Sequence, residues 1–306
     1  MADLIFYDKA AVKVSVGSAS EVLLASDCSV SFSSSVQPLY SIGNKGSLGQ
    51  FPSAARVGEI SFSFLTSMTG VHDGQPGNII NYLASGIKGS INSLASGAVI
   101  QVAGLSGSGF LNSYSFNIAS NSVSTSSASF TLFGSGAVGV GSHQTLNLPI
   151  TGRLANSDFA PVSDNARLAT GIGHGRFTNL DDFRTELTSP TSNGTVFGAD
   201  YSISFNHNPI YKVGQEFPTC TYYTTAAEQM TVTEDIFNSG LSFSGTNVDN
   251  PNGNVNLNVK GLASVADTPS NAKMQIGMSG VKQINTSASV GLDDIVRTQK
   301  TLVAAY

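Results

Sequence analysis

Apolar and polar positions alternate along much of this chain. From Ala11 to Val16 every second residue is apolar, with Val12, Val14 and Val16 on one side, and the same alternation runs from Val22 to Phe32. It returns over Glu59–Leu65, where Ile60, Phe62 and Phe64 share a face, and over Ala98–Val102, Ser113–Ile118 and Ser124–Phe133. Later it marks Gln229–Thr233, Lys273–Met278, Asn285–Val290 and Arg297–Val303. A period of two with one apolar face predicts half-buried strands. The pattern changes between Pro76 and Ile87, where Ile79, Ile80, Leu83 and Ile87 fall on one helical face behind a Gly-Asn start. That spacing predicts a short helix, which needs packing against a sheet to persist. The region 240–262 reads as two strands around a turn-rich Asn247–Asn254, with Val255, Leu257 and Val259 in phase. Leu180, Phe183 and Leu187 suggest a helical turn over Asn179–Leu187, and the Gly104–Gly109 run reads as a turn. The fold class expected is mainly β.

The elements come twice. Val30-Ser31-Phe32, Pro38-Leu39-Tyr40-Ser41-Ile42-Gly43 and Phe51-Pro52 are answered by Ile203-Ser204-Phe205, Pro209-Ile210-Tyr211-Lys212-Val213-Gly214 and Phe217-Pro218. Gly104-Leu105-Ser106-Gly107 and Leu111-Asn112-Ser113 are answered by Gly277-Met278-Ser279-Gly280 and Ile284-Asn285-Thr286. Phe32 to Phe205, Gly104 to Gly277 and Leu111 to Ile284 all span the same separation. In the second copy Met230 and Val232 take the places of Ile60 and Phe62. A separation that recurs indicates tandem duplication of one domain. The expected division is a first domain over 1–135, a long linker or insertion over 136–190 and a second domain over 191–306. The middle segment exceeds an ordinary loop, so it reaches a neighbouring subunit or wraps its own domains.

Composition narrows the function classes. Only 11% of the 306 residues are charged and Trp is absent, while Gly, Ser, Thr and Asn abound. This suits a β-rich protein whose surface is largely covered by neighbours, and it is unlike a disordered chain. The formal net charge of −5 offers no basic footprint for gripping nucleic acid. A mildly negative surface instead lets a polyanion pass without sticking. The start, Met1 to Asp8, lacks the basic residues and apolar run of a signal peptide, and no stretch is apolar enough for a membrane span. Synthesis in a reducing cytoplasm is expected.

Candidate chemistry is sparse. Cys28 and Cys220 do not align between the repeats and read as small buried or half-buried thiols. His72, His143, His174 and His207 are scattered, and none has a second ligand at metal-binding spacing. Gly134, Gly136 and Gly139 spell a dinucleotide fingerprint with no helix behind it, and no Gly-x-Ser-x-Gly elbow occurs. The sequons at Asn193 and Asn285 are what chance supplies in so Asn- and Ser-rich a chain. No catalytic residue, cofactor or metal is expected.

On the duplicated strands, the Pro38-Leu39-Tyr40 turn, the helix near Ile79–Leu83 and the same order again from Ile203, the chain resembles the tail tube proteins of long-tailed bacteriophages, in their fused two-domain form. The resemblance covers nearly everything outside the middle segment, and the second copy departs from it by lacking an obvious helix. It implies two tandem β-sandwich or half-barrel domains, each with at most one short helix, assembling as homotrimers that give a pseudo-sixfold ring. Such rings stack into a virion tube, joined to other tail proteins, that conducts DNA without binding it specifically. Assembly candidates are Leu4, Phe6 and Tyr7 at the start, Tyr40, Lys45 and Tyr211 at the turns, Arg153, Arg167, Arg176 and Arg184 in the middle segment, and Tyr306 at the end. An open edge strand is a ready template for another copy, so edges closing into a ring is physically sound. Another virion component, such as a baseplate, neck or capsid-decorating protein, and a β-sandwich hydrolase or carbohydrate-binding module are the alternative classes.

Overall fold

The computed structural model describes residues 12–23, 25–33, 36–43, 45–52, 57–66, 71–72, 75–95, 97–102, 105–120, 122–133, 167–170, 181–188, 196–214, 218–235, 253–262, 272–289 and 297–306. The first half holds β1 (Val12–Val16), β2 (Ala19–Leu23), β3 (Ala25–Ser33), β4 (Val36–Tyr40), β5 (Ser47–Pro52), β6 (Val57–Leu65), β7 (Val71–His72), β8 (Gln75–Pro76), α1 (Ile79–Lys88), β9 (Ala98–Val102), β10 (Leu105–Ala119) and β11 (Thr125–Phe133). Then follow β12 (Arg167–Thr170), β13 (Asp181–Thr188), β14 (Val196–Ile210), β15 (Cys220–Asp235), β16 (Gly253–Leu262), β17 (Ala272–Ser289) and β18 (Arg297–Ala305). The protein is mainly β, as its alternation predicts, and α1 is the only helix among the described residues.

The two halves repeat one pairing order. In the first, β3 pairs β6, β6 pairs β11, β11 pairs β10, β10 pairs β9 and β9 pairs β1. In the second, β14 pairs β15, β15 pairs β18, β18 pairs β17, β17 pairs β16 and β16 pairs β13, and every one of these ladders is antiparallel. The halves are not separate sheets, because β10 pairs β14 and makes one continuous path. Strands β10 and β17 are long because each serves two layers. Leu105–Gly109 pairs β9 and Phe110–Asn117 pairs β11, while in β17 the stretch from Ala272 pairs β16 and that from Lys282 pairs β18. The apolar faces enclosed this way form one core, from Val12 and Val14 through Ile60, Phe62, Tyr114 and Phe130 to Met230, Ile276 and Leu302.

Bulges set the correspondence between the halves. The ladder slips between Ala25 and Asp27 in β3 and, equivalently, between Val196 and Gly198 in β14. It slips again between Leu111 and Ser113 in β10 and between Gln283 and Asn285 in β17. Matching these bulges corrects the single separation read from sequence, so that Phe32 answers to Ile203 rather than Phe205, and Leu111 to Gln283 rather than Ile284. The first correction shifts a strand by one full period and leaves every side chain on its own face, so alternation does not reveal it. The second, half as large, falls at a bulge, where alternation is already broken. Ile60 and Phe62 do match Met230 and Val232, because Phe62 pairs with Cys28 and Ala128 where Val232 pairs with the equivalent Ala199 and Lys300.

Other expectations are corrected too. The helical turn expected over Asn179–Leu187 is, over its described part Asp181–Leu187, the strand β13; a short apolar run fits both periods, and the exposed flank of β16 supplies the partner that decides. The middle segment thus contributes strands β12 and β13 to the second half's sheet, in addition to connecting the halves. Leu105–Gly109 is strand rather than turn. A Cβ on Gly109 would lie 2.7 Å from Ile100 Cδ1 and 3.0 Å from Phe130 Cβ, so glycine there permits close layer packing rather than bending. Lys273–Met278 and Asn285 onward form one strand, β17, passing Gly280 at φ +64°. Cys28 is exposed, while Cys220 is half-buried.

Helix α1 matches its expected span. Asn78 Oδ1 caps it by accepting from Asn81 N at 2.9 Å, and the Glu21 carboxylate accepts from Ile79 N at 2.8 Å, where the helix dipole favours negative charge. Its Ile79, Ile80, Leu83, Ala84 and Ile87 are buried.

Candidate functional site

Three surfaces follow from this architecture, and a buried cluster ties the halves that carry them. The cluster centres on Glu228 of β15, whose carboxylate is fully buried. Lys88, at the end of α1, donates to Glu228 Oε1 at 2.7 Å and to the Gly277 carbonyl at 2.6 Å. Tyr201 donates to Glu228 Oε1 at 2.5 Å and Tyr306 to Oε2 at 2.8 Å. Burial and the adjacent Glu228 carboxylate hold the Tyr201 phenol well above its ordinary range, and burial pushes Tyr306 up to about 12, so both donate at any physiological pH. Asn81 Nδ2 reaches the Gln275 carbonyl at 3.2 Å, so the first half's helix is fastened onto the second half's strand β17.

The first surface is the open face of the eight-strand path β3-β6-β11-β10-β14-β15-β18-β17. Because side chains alternate, the residues opposite the core are Ser29, Ser61, Ser129, Ser113, Ser204, Ser127, Ser115, Ser202, Gln229, Thr231, Thr301 and their neighbours. Hydroxyls bond across the strands, Ser29 to Ser61 at 2.6 Å, Ser113 to Ser129 at 2.8 Å and Ser115 to Ser127 at 2.8 Å. Asn117 donates to Asp200 across the junction of the halves. By register the acidic residues of this face are Asp27, Glu59, Asp200 and Asp235, and the basic ones are Lys282 and Arg297, at opposite ends of the β17–β18 ladder. Lys300 points the other way, to Glu234 at 3.0 Å.

The second surface is a pair of protruding tips. Hairpin β4–β5 ends in Tyr40-Ser41-Ile42-Gly43 and hairpin β14–β15 in Tyr211-Lys212-Val213-Gly214, which the bulge at the start of β3 and β14 makes equivalent. Leu39, Tyr40, Ile42 and Leu48 on one, and Ile210, Tyr211 and Val213 on the other, are exposed. Gly43 at φ +95° and Gly214 at φ +83° turn the chain at equivalent points. The third surface consists of the two ends of the path. Among the described residues, β3 pairs only β6, and β17 from Lys282 to Ser289 pairs only β18.

Of the residues singled out from sequence, Tyr40, Lys45 and Tyr211 lie exposed at or beside the tips. Tyr306 is half-buried in the Glu228 cluster, where its hydroxyl also accepts from Ser279 N at 2.8 Å. Arg167 and Arg184 lie on the paired strands β12 and β13. Leu4, Phe6, Tyr7, Arg153 and Arg176 fall outside the described residues. Sequence reasoning missed Glu228 and Lys88, although a charged residue inside an alternating apolar face was a signal that could have marked Glu228. Among the described residues no group of three or more His, Cys, Asp or Glu could hold a metal ion, and no helix is long and apolar enough to cross a membrane. No protein-family model matches the chain, and comparison with curated proteins gives no match.

Proposed function

We propose that this protein is the ring-forming subunit of a bacteriophage tail tube, three copies presenting six similar halves around a channel that conducts DNA. The observation that carries the reading is the hydroxyl-lined open face, which runs unbroken across eight strands and both halves. Serine and threonine satisfy one another across strands, as Ser29 does with Ser61, and among the described residues they leave no array of cations to hold phosphates. Asp27, Glu59, Asp200 and Asp235 add mild repulsion, so a polyanion passes over the wall without sticking. Among the described residues the sheet is left with two unpaired ends, and such ends are stable in a soluble protein when another copy covers them. The apolar tips at Ile42 and Val213 stand at repeated positions, and contacts between successive rings through them are heterologous, allowing growth along the axis.

Electron microscopy of the purified protein beside its native mass tests the reading. Trimeric rings with six similar lobes, lengthening into tubes at high concentration, are the expected result. Rings that never lengthen would favour a neck or baseplate component, and a monomer at every concentration would overturn both.

A further inference from the structure

The chain contains a finished example of the contact that its two ends lack among the described residues. At the internal junction β10 pairs β14 in the register Ser113↔Ser204, Tyr114↔Ile203, Ser115↔Ser202 and Asn117↔Asp200. Strand β17 stands to the second half as β10 stands to the first, with the same bulge, and β3 stands to the first half as β14 stands to the second. We infer that β17 of one copy pairs antiparallel with β3 of the next, in the register Asn285↔Ser33, Thr286↔Phe32, Ser287↔Ser31, Ala288↔Val30 and Ser289↔Ser29. These pairs are the internal ones carried over by the bulge-set correspondence. The inference rests on the ring reading and specifies its lateral contact.

Side chains at the two ends agree with this register independently of the ladder. Ser287 opposite Ser31 continues the serine face as Ser115 opposite Ser202 does inside the chain. At the internal junction the bulge residue Asn112 meets His207, with Nε2 2.7 Å from Oδ1. The equivalent positions at the free ends are Ile284 and Val36, which are 57% and 56% exposed. A polar pair inside one chain is thus replaced by two apolar side chains left bare on opposite ends. Two isolated strand ends have no reason to carry matched apolar residues at these positions, whereas one interface does. Because β3 and β17 are different surfaces, the contact is heterologous, so each copy offers one of each and a ring closes when the rotation does.

Single-cysteine chains test the contact directly. In a background of Cys28→Ser and Cys220→Ser, one chain carries Ser31→Cys and another Ser287→Cys, and the two are mixed under mild oxidation. Directly opposed strand residues lie within disulfide reach, whereas a pair displaced by two residues does not. Covalent dimers are expected in the mixture and in neither chain alone, at least ~10-fold more abundant than with Ser29→Cys in place of Ser31→Cys. Cross-links within a single variant would show two-fold pairing of like ends, and stronger linking by the displaced pair would show another register; either overturns the inference while the native mass still reports rings. Absence of any oligomer in the native mass overturns the ring reading with it. A second measurement avoids cysteine: Val36→Asp weakens assembly about 10-fold or more with the monomer's circular dichroism unchanged, and Ile284→Lys in the same chain restores it. Equal loss with both changes present would count against the Val36–Ile284 contact.

Discussion

The two halves of this protein share a ladder and differ in what fills it. In the first half Phe62 stacks on Phe130, with ring centroids 6.0 Å apart, and Phe64 is fully buried. Under the bulge-set correspondence, the positions of Phe62 and Phe130 hold Val232 and Leu302, and those of Phe64 and Ala128 hold Glu234 and Lys300, a buried pair at 3.0 Å. Glu228, also buried, takes the place of Gly58. One pairing order therefore tolerates an aromatic core and a core threaded with charge. The ladder needs backbone partners and alternation, which both halves supply, while side-chain chemistry is free to diverge so long as volume and charge are matched locally.

The difference is broken most severely at the ion pairs. Lys300→Met removes the ion-pair partner Lys300 from the buried Glu234 and is expected to cost about 3–5 kcal/mol in urea unfolding. Replacing both with the first half's pair, Glu234→Phe with Lys300→Ala, should recover most of that loss or exceed it, since apolar replacements of buried pairs are often neutral or stabilising by about 1–4 kcal/mol. If the double variant is no better than Lys300→Met, the halves are not interchangeable at these positions.

Volume gives the next effect. Gly109 stands where the second half has Val281, as Phe130 stands where it has Leu302, so the larger ring accompanies the missing side chain. Gly109→Val is expected to cost about 1–3 kcal/mol through overpacking. Combined with Phe130→Leu, the loss should fall short of the sum of the single changes by about 0.5 kcal/mol or more. Strict additivity would mean that the two sites compensate with other neighbours.

The smallest effect lies at the junction. His207 sits among aromatic rings, edge-on to Phe133 at 5.3 Å, and burial lowers its pKa from the ordinary 6.5. Its folded state resists protonation more than its unfolded state, so the stability it contributes is fully present above pH 6.5 and is lost as pH falls through the folded value. Unfolding free energy measured at pH 7.5 and 5.5 should decline on acidification. His207→Val, which copies the Val36 end, should flatten part of that slope.

Much of this was legible from the chain alone. Alternation marked nearly every strand of the sheet path, the 3.6-residue spacing marked α1 with its buried Ile79, Leu83 and Ile87, and the repeated Pro-aromatic turns marked the two tips. The hydroxyl face was implicit in the serines and threonines between apolar residues. Each of these depends only on neighbours a few residues apart, which share a face by backbone geometry.

What the tertiary structure decided was partnership. Whether 181–188 is helix or strand depended on an open flank of β16, and whether the halves separate or join depended on β10 meeting β14. That Phe32 answers to Ile203 came from bulges, because a shift by one full strand period changes partners without changing faces. The Glu228 cluster gathers Lys88, Tyr201 and Tyr306 from across both halves, groups whose proximity no local pattern encodes. Sequence determined which way each side chain faces; the fold alone determined what it faces, since strand pairing is set by long-range closure of the sheet and the packing it permits.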